Sequence, residues 1–223
     1  MTPATHEALR FIDAHASDLI DFVRALVATP SITIEMGERA VADVVMNQTR
    51  ALGIAAPEVL CAREDHPNLI YRAEGSAGGP TLILNGHLDT QPVGDGATWT
   101  HDPFAGHIEG NRLYGLGSTD MKGAVAAMIY AQAALVRAGA LPRGTLVLAL
   151  VANEEDGGAF GANWLARQGM LRGDACVVAE PSGVRHEWEA LYNAQCGQSA
   201  VWVQVLGQQM HSGIARVFGA TNA

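Results

Sequence analysis

Four short stretches of the chain hold most of the side chains able to do chemistry: Asn85-Gly-His87-Leu-Asp89-Thr90, Gly117-Ser-Thr-Asp120-Met-Lys-Gly123, Asn153-Glu154-Glu155-Asp156 and Glu180-Pro-Ser-Gly183. Imidazole and carboxylates together ligate divalent cations or pass protons. Residues two apart in an extended segment point the same way. Asp89 can therefore orient His87, directly or through the turn, while the other imidazole nitrogen takes a metal. Glu154 and Glu155 are adjacent like charges, and their desolvation is costly without a cation or a proton. One could bind metal while its neighbour, turned differently, acts as general base. Asp120 lies between Gly117 and Gly123, which allow close backbone approach, and one carboxylate there could bridge two cations. Each group alone also has a plainer reading: a strand-end histidine with a turn aspartate, a solvated acidic loop, a helix N-cap. Gly115-x-Gly117 lacks the third glycine of a nucleotide loop.

The elements that must carry these residues give the groups their joint meaning. Short apolar runs at 81–85, 145–151 and 175–179 read as buried strands, and three of the groups follow them directly. The fourth opens a helix of small and apolar residues at 122–138. Open α/β sheets bind ligands at the carboxyl edge of their strands, so four such groups converge where a site belongs. Further helices are expected at 8–27, 38–52 and 158–168, and a strand at 68–73. The alternation predicts an α/β fold with a largely parallel sheet flanked by helices. Residues 198–206 alternate apolar and polar, which suggests a strand of a different, antiparallel sheet. The change of pattern after residue 192 suggests that 1–192 and 193–223 belong to different domains.

Composition bounds the function classes. The chain has 223 residues, 23 acidic against 14 basic, and a formal net charge of -9. A nucleic-acid partner needs a basic face, which this balance does not offer. Cys61, Cys176 and Cys196 form no CxxC pair, so a reducing cytoplasm suits them better than a disulfide scaffold. No apolar leader region and no run of about 18 apolar residues is present, so no membrane span is expected.

Taken together, the stretches resemble the M20 metallopeptidase family of deacylases and carboxypeptidases. The resemblance runs through Gly86–Thr90, Trp99 to Phe104, Tyr114 to Gly123, Asn153-Glu154-Glu155, Glu180-Pro181 and Gly207-x-x-x-His211-Ser212. It implies a zinc-peptidase-like catalytic domain, of which residues 1–192 are the N-terminal part, followed at 193–223 by the beginning of an α+β lid and dimerisation domain. It implies two divalent ions, zinc foremost, with cobalt or manganese as alternatives. His87 would bind the first ion with Asp89 behind it, Asp120 would bridge both, Glu155 would bind the second, and Glu180 would complete the first. Glu154 would be the general base. His211 would reach a partner subunit's site to stabilise an oxyanion, and Asn222 would open the next lid helix. The peptide after Asp120 would be cis. The implied substrates are N-acyl amino acids or short peptides with a free carboxylate, and the implied assembly is a homodimer. Leu116 stands where the family often has Arg. The last metal histidine of the family has no counterpart here: His6, His15, His66, His101, His107 and His186 sit in no matching motif. The chain therefore reads as a fragment with weak activity or none alone, or else as a non-catalytic remnant that binds metal in part.

Overall fold

The computed structural model describes residues 1–182. Residues Met1–Pro181 form one compact unit. The expected strand at 198–206 and the expected division after residue 192 lie outside the described residues.

The sheet is built on β6 (Thr145–Val151), whose apolar run is buried along nearly its whole length. Its neighbours are β2 (Pro67–Glu74) and β3 (Thr81–His87), with β1 (Glu58–Cys61) and β7 (Ala175–Val178) at the edges, in the order β1-β2-β6-β3-β7. The sheet is mixed. β6, β3 and β7 run parallel, as the alternation with helices requires, whereas β1 and β2 extend it antiparallel. Side chains alternate across the sheet. Leu148 and Leu150 join Leu69 and Tyr71 on one face, against the helices α1 (Pro3–Ala14), α2 (Ala16–Val27), α3 (Arg39–Ala51) and α4 (Gly123–Arg137). Val147, Ala149 and Val151 join Ile70 and Ile83 on the other, against Leu165 of α5 (Ala162–Arg167). Helices therefore cover both faces. At the β7 edge, Val177 and Val178 remain about half exposed.

Register decides where the chemistry goes. His87 at the end of β3 lies opposite Val151 at the end of β6, and Asn85 lies opposite Val178 at the end of β7. The three parallel strands thus release their following residues at one edge.

Two departures from the sequence pattern have local causes. The single helix expected at 8–27 is two helices, broken at His15, whose φ of -112° leaves the helical region. The His15 ring stacks on Phe11 at 4.1 Å and its Nδ1 bonds to the Phe11 carbonyl, so the break is covered locally and the apolar spacing continues across it. Residues 107–114, where no element is expected, form a small hairpin, β4 (His107–Glu109) with β5 (Arg112–Tyr114), turned at Gly110. Strands of three residues are too short to show a period. No helix among the described residues is long and apolar enough to cross a membrane.

Candidate metal centre

The end of β3 is prepared by a glycine. A Cβ at Gly86 would lie 2.7 Å from Met128 Cε and 2.8 Å from Met121 Cε. Glycine therefore lets α4 and the turn before it close over the strand. The same closure brings the backbone N–H of His87 within 3.2 Å of Met121 Sδ. Beyond the strand, residues 88–90 are laced to residues 31–33: Ser31 Oγ donates to the Leu88 carbonyl at 2.7 Å, Thr90 N to Ser31 O at 3.0 Å, and Thr33 N to Thr90 O at 3.0 Å.

His87 is buried, and its two nitrogens have different partners. Nδ1 donates to the backbone carbonyl of Asp89 at 3.0 Å, with Asp89 Oδ1 at 3.5 Å. Nε2 faces carboxylates: Asp120 Oδ1 at 3.0 Å, Glu180 Oε1 at 3.4 Å and Glu154 Oε2 at 4.0 Å. The Asp89 carboxylate is fully buried and is spent elsewhere. Its Oδ1 accepts the backbone N–H of Glu154 at 3.1 Å, and its Oδ2 that of Glu155 at 3.0 Å. Asp89 thus joins the loop after β3 to the loop after β6. Asp120 comes from the turn before α4, and the Asp120–Met121 peptide is cis. Glu155 is held by Gln91 Nε2, which donates to its Oε2 at 2.7 Å. Six of the seven expected site residues, His87, Asp89, Asp120, Glu154, Glu155 and Glu180, meet in this way; His211 lies outside the described residues.

The electrostatics follow from one imidazole among many carboxylates. Burial opposes charge on His87, yet bonds to Asp120, Asp89 and Glu180 outweigh it and push its pKa up to about 12. The Asp120 carboxyl is held down by its bond to His87, and Asp89, despite burial, by the same ring. Glu154 and Glu155 are pushed up, first by burial. Glu180, Asp89 and Glu155 then add repulsion at Glu154, and Asp120 and Asp89 add it at Glu155. Such a cluster favours a cation at its middle. Ligand atoms of His87, Asp120 and Glu155 lie within 4.8 Å of one another, as do those of His87, Glu154 and Glu180. One imidazole with several carboxylates suits zinc, cobalt or manganese. The residues present therefore fit divalent ions.

Three residues take supporting roles that the sequence does not assign them. Glu38 stands just before α3 and turns its fully buried carboxylate inward. Its Oε2 accepts from His66 Nδ1 at 2.7 Å and its Oε1 from the backbone N–H of Asn153 at 3.1 Å. Asn153 holds a left-handed backbone, φ 57°, immediately before Glu154; asparagine tolerates that region better than most residues. The turn it starts closes at Gly161, where a Cβ would collide with the Ala152 carbonyl oxygen. Gly161→Ala should therefore cost about 1–3 kcal/mol of stability, read by urea unfolding. Lys122, the third residue, is buried and donates to the Leu26 and Thr29 carbonyls, at 2.8 and 2.9 Å, where α2 ends. A cation is favourable at a helix C-terminus.

Burial, with Asp89 nearby, raises Glu38 from 4.5 to about 7, against the pull of His66. Between those values the folded state keeps a proton that the unfolded state has released. Stability should then fall as pH rises from about 4.5 to 7. Glu38→Gln should flatten that slope in urea titrations at pH 5 and pH 7, and an unchanged slope would exclude Glu38 as its source.

A family model described as "Peptidase family M20/M25/M40" matches residues 83–208, more than half of the chain. The succinyl-diaminopimelate desuccinylase of Methylobacterium radiotolerans is 35% identical over 208 residues, covering 89% of this chain and 52% of that protein. The chain spans about half the length of the curated relatives it matches. Among solved structures, an M20 family metallo-carboxypeptidase from Sulfolobus solfataricus superposes with a TM-score of 0.64 at 25% identity, over 76% of this chain and 38% of that one. A dinuclear metal binding peptidase of the M20 family from Bacillus subtilis superposes with a TM-score of 0.50 at 21% identity, over 74% of this chain and 43% of that one.

Proposed function

Since this chain belongs to peptidase family M20/M25/M40, we propose that the protein of which it forms at least a part hydrolyses the amide bond of N-acyl amino acids or short peptides, using two divalent ions. The observation that carries this reading is the convergence of His87, Asp120, Glu154, Glu155 and Glu180 beyond the parallel strands, with Asp89 tying their loops together. The names of the desuccinylase relatives make N-succinyl amino acids the first substrates to try.

His87, Asp120 and Glu180 would hold one ion, and Asp120 and Glu155 the other, with Asp120 shared. Zinc is the first expectation, and cobalt or manganese would suit the same donors. When bound, such ions acidify water and polarise a carbonyl oxygen. The chain's own work is positioning and proton transfer. Asp89 fixes the His87 ring through its backbone carbonyl, leaving Nε2 directed at the centre. The Asp89 carboxylate fixes the backbone from which Glu154 and Glu155 project. Glu154 would take a proton from the attacking water and deliver it to the leaving nitrogen. His211 would stabilise the developing oxyanion across a homodimer.

The test uses the chain as it stands and a version extended to the length of its relatives. After chelation, both are assayed with N-succinyl and N-acetyl amino acids, with and without added zinc, cobalt or manganese. We expect metal-dependent release of free amino acid from the extended protein and little from the 223-residue chain. Turnover indifferent to chelation would contradict the metal reading. Saturable metal binding without turnover in either form would favour a non-catalytic metal-binding remnant.

A further inference from the structure

We propose that His101, His107 and Glu109 form a second, separate site for a divalent transition-metal ion on the β4–β5 hairpin. None of the three belongs to the centre described above. Their ligand atoms lie within 4.8 Å of one another. His107 and Glu109 stand two residues apart on β4, so one face of that strand presents both. His101 comes from the preceding loop and stacks on His107 at 4.1 Å between ring centroids, with an interplanar angle of 27°. Tyr114, opposite His107 on β5, borders the His101 ring at 4.9 Å.

The approach is held by bonds that use none of the three ligand side chains. Asp102 Oδ1 accepts from Phe104 N at 2.8 Å, and Leu116 N donates to the Pro103 carbonyl at 2.7 Å. Arg24 Nε donates to the Gly106 carbonyl at 3.2 Å from the helical side. The turn between His101 and His107 is thus fixed at three points. The ligand atoms are free of competing bonds: among the described residues, none of the three side chains makes a hydrogen bond or ion pair, and Glu109 makes none even with Arg112 opposite it. Two imidazoles and one carboxylate are a zinc-type set, open to copper(II) and nickel(II) as well, with remaining positions left to water. His107 and Glu109 are exposed, so small side-chain rotations can draw the three donors in. An ion there would tie the 91–106 loop to the hairpin that leads into the Asp120 turn.

The experiment titrates copper(II) and zinc into His87→Ala, which disables the main centre, and into His87→Ala/His107→Gln. We expect one ion fewer in the double variant. We also expect a copper(II) electron paramagnetic resonance spectrum with nitrogen coupling in the single variant that is absent from the double one. The same pair of titrations on wild type and His107→Gln covers the case in which His87→Ala does not fold, and it must show the same loss of one ion. Glu109→Gln should weaken binding at least tenfold with the circular dichroism spectrum unchanged. Equal ion counts and equal spectra with and without His107, or binding that does not saturate, would overturn the site. Neither result bears on the ions at His87, so the two readings fail separately.

Discussion

Glu154→Gln is expected to lower kcat by about 10²–10⁴-fold in the extended protein while leaving its metal content unchanged. Glutamine keeps the size and the hydrogen-bonding oxygen but cannot accept the proton of the attacking water. The substitution should not disturb its surroundings, because the Glu154 backbone is fixed by Asp89 Oδ1 and its side chain is half exposed. Burial and the charges of Glu180, Asp89 and Glu155 raise the Glu154 carboxyl, which brings a general base nearer to working pH. The wild-type rate should then rise with pH through that titration, and the variant should lack this acidic limb. Glu154→Asp, with a base drawn back by one methylene, should fall between the two. Undiminished turnover in Glu154→Gln would remove Glu154 from the proton path.

His87→Ala should have the second large effect, on metal rather than on proton transfer. His87 is the one imidazole at this centre among the described residues, and it is part of both groups of convergent ligand atoms. Its loss should weaken binding of the first ion by more than about 100-fold, since even loss of an outer partner costs about 10–100-fold. The metal-free protein should suffer as well. Without the ring, the buried Asp89 loses the cation that lowers its pKa, and Asp120 and Glu180 lose their shared partner. Breaking a buried pair on one side costs about 3 kcal/mol or more, and the exposure of Asp120 and Glu180 places the main effect at Asp89. Inductively coupled plasma mass spectrometry reads the first effect, and urea unfolding after chelation reads the second. Unchanged metal content would contradict the ligand assignment.

The parts of the fold and site that were legible in the sequence rest on local signals. Residues 81–85 and 145–151 are apolar runs followed closely by His, Asp or Glu, and such a change marks a strand leaving the sheet; 175–179, expected to be buried by the same signal, does form a strand, but an exposed one at the sheet edge, because burial depends on what packs over it. Helix α4 declares itself by length and small residues. Asp89 was legible only in part. Spacing pairs it with His87, but the contact runs through its backbone carbonyl, and its carboxylate serves amides 65 and 66 residues away. Glu38 was not legible at all. A glutamate at a helix start reads as a surface group, and its partners His66 and Asn153 lie 28 and 115 residues away. The direction of β2 was equally hidden, because one strand's composition does not say which way it enters the sheet. The same limit explains why a sequence read as largely parallel folds into a mixed sheet, while the parallel portion still carries the site.

Paired ions held by side chains from separate loops are what the proposed chemistry requires, and anomalous scattering at the zinc edge tests this most directly. A crystal of the chain grown with zinc should show, at the His87 centre, two peaks about 3.5–4 Å apart. One should touch His87 and Glu180, the other Glu155, with Asp120 between them. An anomalous map with no density at His87, or with Asp120 and Glu155 turned away from the metal, would contradict it.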